Sequence, residues 1–161
     1  MDGRIDKYQG LIDLTLTTSD VIKLAEEVDM LLKSLYQLES GKFEQKLDER
    51  VRVRVAQEIR KLLQGNTNQA KEEIKTLLTG AYSTICTLPI LKLILAFEPS
   101  EYIIANISHW ARLNLAKGAI LDLSMDRSIL GGAVIIYKGK FYDLTVRKKL
   151  QEIFEKQELV L

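Results

Sequence analysis

The chain has 161 residues, 28% of them charged and 47% apolar, with a net charge of +1. That composition suits one globular domain or two small ones, and a chain of this length buries roughly 70% of its unfolded surface without staples. Balanced charge argues against a large nucleic-acid footprint, which needs a surplus of Lys and Arg on one face. The single cysteine, Cys86, excludes an internal disulfide and suits a reducing compartment. The first fifteen residues include Asp2, Arg4, Asp6, Lys7 and Asp13, so they hold no apolar segment of a signal peptide.

Residues 1–18 are mixed, and the alternation Leu14-Thr15-Leu16-Thr17 suggests an extended, coil-like lead-in. Ser19 or Asp20 can cap a helix, after which Val21, Leu24, Val28, Leu31, Leu35 and Leu38 recur at spacings of three and four. Ile22, Ala25, Leu32 and Tyr36 widen the stripe, as in a helix packed in a bundle, and Ser40-Gly41 ends it. Phe43, Leu47, Val51, Val55 and Ile59, with Leu62 or Leu63, then describe one more helix face. Within it Arg50 to Val55 alternates with period two, but the helical frame on both sides favours helix over strand.

Gly65-Asn66-Thr67-Asn68 reads as a turn, and Gln69–Leu78 as a third helix interrupted by Thr79-Gly80. The most apolar window, Gly80 to Phe97, is broken by Pro89 and Lys92, which predicts a buried helix pair rather than a membrane span. Pro89 fits the first turn of a helix Ile90–Phe97, and Pro99 that of a helix Glu101–Leu113 with Ile103, Ile107 and Trp110 inward. The expected boundary lies near residue 98, giving an N-terminal helical domain over 1–98 and a C-terminal unit over 99–161.

That unit carries the densest local signals. Leu121 and Leu123 end an extended piece, and Asp126, Arg127 and Ser128 supply turn chemistry. Gly131-Gly132 precedes the β-branched run Ala133 to Tyr137, and Lys138-Gly139 leads into Lys140-Phe141-Tyr142 at the spacing of a tight hairpin. Asp143 and Thr145 can each accept from a helix start, and Val146, Leu150, Ile153 and Phe154 follow at helical spacing. The fold class is therefore α+β: a bundle of amphipathic helices, then a small three-stranded sheet with a C-terminal helix.

The chain offers few parts for catalysis. His109 is the only histidine, outside any motif that sets a base beside a nucleophile, and is read as a surface or edge residue. Cys86 lies in an apolar stretch and is read as a small core hydrophobe. No His, Cys or carboxylate cluster has metal-ligand spacing, so no metal or other cofactor is expected. Gly131-Gly132 lacks the phosphate-loop patterns and precedes a strand where those loops precede a helix; it meets the need of a close chain crossing or a bulge. Arg147-Lys148-Lys149 reads as a solvated helix face able to receive an acidic helical partner.

The run Asp126-Arg127-Ser128-Ile129-Leu130-Gly131-Gly132, an apolar strand, a Gly turn and Asp143-Leu144-Thr145-Val146-Arg147-Lys148-Lys149-Leu150 resembles the C-terminal signature of the delta subunit of F-type ATP synthase, the oligomycin-sensitivity-conferring protein of mitochondria. Thr145 replaces the usual Ser and keeps its hydroxyl. Leu144 replaces the usual Gly and could not take positive φ without strain. The resemblance implies a non-catalytic peripheral-stalk subunit that joins the catalytic head to the b-type stalk and resists rotor torque. It implies contacts with alpha subunits through an N-terminal six-helix bundle, of which four or five helices are legible here, and with b subunits through the C-terminal unit. Under it Gly131 and Gly132 shape that unit, Asp143 and Thr145 set the helix start, and Val146, Arg147 and Leu150 lie at or under the stalk contact. The location implied is peripheral, on the cytoplasmic face of an energy-transducing membrane. The E subunit of V/A-type ATPases has a similar tail but one long continuous helix in front, which Gly41, Gly65, Gly80 and two prolines would break. A helical adaptor unrelated to ATPases is the remaining alternative.

Overall fold

The computed structural model describes residues 2–36, 43–65 and 70–158, with Asp2 and 154–158 as backbone alone. The helix end expected at Ser40-Gly41, Leu38 of the first stripe, the turn at 66–68, Gln69 and the Phe154 side chain lie outside what is described. The chain divides into two units, Met1–Leu88 and Pro89–Leu161. The division falls ahead of residue 98 because the segment read as a helix from Ile90 is a strand of the second unit.

In the first unit the lead-in is helical rather than coil: α1 (Asp2–Lys7) and α2 (Gln9–Ile12). Helices this short do not hold themselves in water. Burial holds these, with Leu11 and Ile12 fully buried and the Tyr8 hydroxyl donating to the Leu77 carbonyl at 3.1 Å. Next, α3 (Thr18–Leu35) is capped by Thr17, two residues before the nearer expected candidate, Ser19: the Thr17 side chain accepts from the Asp20 N–H, and the Asp20 carboxylate accepts from the Thr17 N–H. This is a capping box, worth about 1 kcal/mol. Leu24, Val28, Leu31 and Leu35 of the expected stripe are buried, whereas Ile22 and Tyr36 are exposed.

The segment from Phe43 to Leu62 is two helices, α4 (Phe43–Arg50) and α5 (Val53–Leu62), and not the single one expected. The break is held from outside the segment. Glu27 on α3, nearly buried, accepts from the Arg52 backbone N–H at 3.0 Å and from its guanidinium at 2.9 and 3.0 Å. Arg52 is thereby kept extended, with ψ 144°. The last helix, α6 (Lys71–Cys86), runs straight through Thr79-Gly80. Gly80 does not interrupt it but makes room for the Tyr8 hydroxyl. Cys86 is exposed, not in the core, because Ala81, Thr84 and Ile85 take the inward face of that turn.

The second unit is a four-stranded sheet, one strand more than expected, in the order β2-β1-β3-β4. The strands are β1 (Ile90–Leu95), β2 (Ile120–Met125), β3 (Ala133–Tyr137) and β4 (Lys140–Asp143). Between β1 and β2 runs α7 (Glu101–Asn114), capped by Ser100; Pro99 therefore stands before the cap and not in the first turn. The correction at Ile90–Leu95 has a clear cause. A short continuous apolar run suits a buried strand or a buried helix equally by periodicity, and here it pairs parallel with β2 and antiparallel with β3 at the centre of the sheet. One sheet face, with Leu91, Leu93 and Leu121, packs on Ala111 of α7 and on Ala119, with Ile104, Ile107, Leu115, Leu123, Ile135 and Tyr137 around them. Trp110, expected inward, is half exposed, because Ala111 and Ser108 occupy the turn of α7 that meets the sheet.

Candidate interaction site at the C-terminal crossing

The β3–β4 hairpin closes through Lys138 and Gly139, both at positive φ (48° and 75°). That is the geometry of a two-residue hairpin turn, whose twist matches the strands. Pairing of Tyr137 with Lys140 and of Val134 with Asp143 returns the chain to the level of Gly131-Gly132. There the chain crosses itself. The Leu144 N–H donates to the Ala133 carbonyl and the Val146 N–H to the Gly131 carbonyl, both at 2.9 Å.

The crossing is too close for side chains on the glycine segment. Gly132 has φ +84°, and a Cβ there would overlap the Leu144 carbonyl oxygen and stand 3.0 Å from Thr145 Cα. A Cβ on Gly131 would press on the Val146 side chain at 3.2 Å. The strain anticipated at Leu144 falls elsewhere, since Leu144 is not among the residues with positive φ whereas Leu130, just before the glycines, has φ 62°. Leu130 was not legible as such from the sequence, because a leucine gives no signal for that conformation.

At this crossing α8 (Val146–Glu158) begins. The Thr145 hydroxyl accepts from the Lys148 N–H at 3.2 Å, and the Asp143 carboxylate accepts from the Thr145 N–H at 3.0 Å. The Thr145 N–H and hydroxyl, with Lys148 beyond them, hold the Asp143 carboxyl below its ordinary range. Thr145 is buried. Asp126 does similar work before β3: its carboxylate accepts from the Ser128 N–H at 2.8 Å, and Ser128 lowers its carboxyl too.

Of the residues singled out in the sequence, the structure brings Gly131, Gly132, Asp143, Thr145 and Val146 together at the crossing. Arg147 and Leu150 lie further along α8, apart from it. Arg147 is exposed, and Val146, Leu150 and Ile153 are 43%, 42% and 52% exposed along one side of the helix. The helix, tied at its start by the Thr145 cap and the Val146–Gly131 hydrogen bond, thus presents an incompletely covered apolar stripe beside Arg147, Lys148 and Lys149. Such a surface can receive another helix. Among the described residues no cluster of His, Cys, Asp and Glu could hold a metal ion, and no helix is long and apolar enough to cross a membrane.

Residues 91–156 match the family model of the ATP synthase delta (OSCP) subunit. The delta (OSCP) region begins in β1 and ends in α8, so it takes in the central strand, α7, the hairpin and the Gly-Gly crossing. It coincides closely with the second unit, so the likeness to the delta (OSCP) family is a property of that unit. No curated protein matches the chain.

Proposed function

We propose that the chain is a non-catalytic peripheral-stalk subunit of a proton-translocating F-type ATP synthase, linking the catalytic head to the b-type stalk. The observation that carries this reading is the delta (OSCP) match over residues 91–156, on a unit whose signature residues build one crossing and aim one helix outward. In this role Gly131, Gly132, Asp143 and Thr145 fix the direction of α8, while Val146, Arg147 and Leu150 meet a b-type stalk helix. The six helical segments described in the first unit equal the number in the family's N-terminal bundle, and we assign that unit to the alpha subunits. Their breaks are unlike the single long helix of an E-type stalk subunit. The protein then acts as a peripheral component on the cytoplasmic face of an energy-transducing membrane.

Affinity purification of the tagged chain from native membranes tests this. Alpha and b-type subunits should co-purify, and Leu150→Glu, at an exposed position that leaves the fold intact, should lose the b-type subunit. Recovery of no synthase subunit with the unsubstituted chain would end the proposal.

A further inference from the structure

Leu130 bends the chain just ahead of the Gly131-Gly132 crossing, and its backbone is strained. Its φ of 62° and ψ of −34° lie outside the regions open to residues with a Cβ. The Gly131 N–H donates to the Ile129 carbonyl at 2.7 Å, which closes a three-residue γ-turn about Leu130 in its rarer, strained form. A glycine would hold that turn without penalty, whereas a leucine holds it at a cost in stability.

Nothing inside the fold offsets that cost. The Leu130 side chain is 73% exposed, so it gains little from apolar burial. Its surroundings are a place where apolar side chains gather uncovered. Leu144 is 52% exposed, and its carbonyl oxygen packs against Gly132. Val146 donates to the Gly131 carbonyl and lies nearest to where a Cβ of residue 131 would stand; it also opens the apolar stripe of α8. Leu130 is thus one residue from the contact that ties the loop to that stripe. Leu130, Leu144 and Val146 cluster at the start of α8, and the stripe continues through Leu150. Arg147, Lys148 and Lys149 stand exposed beside it, so an amphipathic helix with acidic flanks meets both the apolar and the charged parts.

We infer that Leu130 is a binding residue for the b-type stalk helix, held outward by a strained turn so that its side chain joins Val146 and Leu150 in that contact. This rests on the function proposed above and adds to it a residue from outside α8. The turn lowers the stability of the free chain but fixes the side chain before the partner arrives, and covering that side chain on association offsets the strain.

Two substitutions separate strain from contact. Leu130→Ala keeps a Cβ, and with it the strain, and should leave the urea unfolding midpoint of the full chain unchanged. Leu130→Gly removes the strain and should raise the midpoint. Both should weaken by about tenfold the binding of the b-type subunit that the unsubstituted chain recovers from native membranes, the order expected when one leucine side chain leaves a covered contact. If the unsubstituted chain recovers no b-type subunit, the stalk function fails and this inference with it. If the subunit is recovered and Leu130→Ala binds it as tightly as the parent does, the stalk function stands and this inference alone is overturned. A lowered midpoint in Leu130→Ala, or no rise in Leu130→Gly, overturns it as well, because Leu130 then serves the fold.

Discussion

The carbonyl oxygen of Leu144 occupies the space that a Cβ on Gly132 would need. The link from sequence to function passes through that contact, since it sets the strand that follows Gly132 against the residue that precedes the α8 cap.

Gly132→Ala should therefore destabilise the second unit by about 2 kcal/mol or more, from positive φ on a residue with a Cβ together with backbone overlap. Gly131→Ala meets a side chain that can shift, and should cost about 1 kcal/mol or less. Urea unfolding followed by emission of Trp110, the only tryptophan, checks both. Equal effects from the two substitutions would contradict the geometry.

Thr145→Ala removes the acceptor of the Lys148 N–H and should cost about 1 kcal/mol, while Thr145→Ser should restore most of it. Amide exchange at Lys148 is the direct readout. It should accelerate in the Ala variant and recover in the Ser variant.

The start of α8 should also loosen in acid. The Asp143 carboxyl is lowered in the folded chain, first by the Thr145 N–H and then by its hydroxyl. A group with a depressed folded value gives its full contribution above the unfolded aspartate value of about 3.9, and loses it as pH falls through the folded value below. Carboxyl carbon NMR should place the Asp143 titration below that of an exposed aspartate. In Asp143→Asn the acid-induced rise in exchange at Thr145 should disappear.

Glu27 joins α3 to the α4–α5 break. Glu27→Gln keeps an acceptor for the Arg52 N–H but removes the charge facing the guanidinium, and should cost about 1–2 kcal/mol, an amount moderated because the Arg52 side chain is nearly half exposed. Arg52→Lys should not rescue the two-pronged contact. Thermal unfolding of the variants, with the double variant closing the cycle, measures the coupling.

Gly80 and Tyr8 give a test of opposite sign. Alanine in mid-helix gains up to about 1 kcal/mol over glycine, yet at residue 80 a Cβ would overlap the Tyr8 hydroxyl. Gly80→Ala should destabilise the parent chain and do so less, or not at all, in a Tyr8→Phe background. Identical costs in both backgrounds would show that the hydroxyl is not the obstacle.

Much of the C-terminal unit was legible because its instructions are local. Lys138-Gly139 specifies a turn by its own backbone angles, Gly131-Gly132 signals a close approach, and Asp143 and Thr145 act within three residues of themselves. Helix faces such as Leu24, Val28, Leu31 and Leu35 were legible for the same reason, since periodicity is a property of one segment. What tertiary structure alone decided depends on partners distant in sequence. Ile90–Leu95 became the central strand because β2 and β3 pair with it on both sides. The helix frame broke at Arg52 because Glu27 binds its N–H, and α6 continued through Gly80 because Tyr8 packs there. Trp110 turned outward because the small residues Ser108 and Ala111 let α7 approach the sheet. A residue's own chemistry sets which conformations it can adopt, and contacts made across the fold select among those of nearly equal energy.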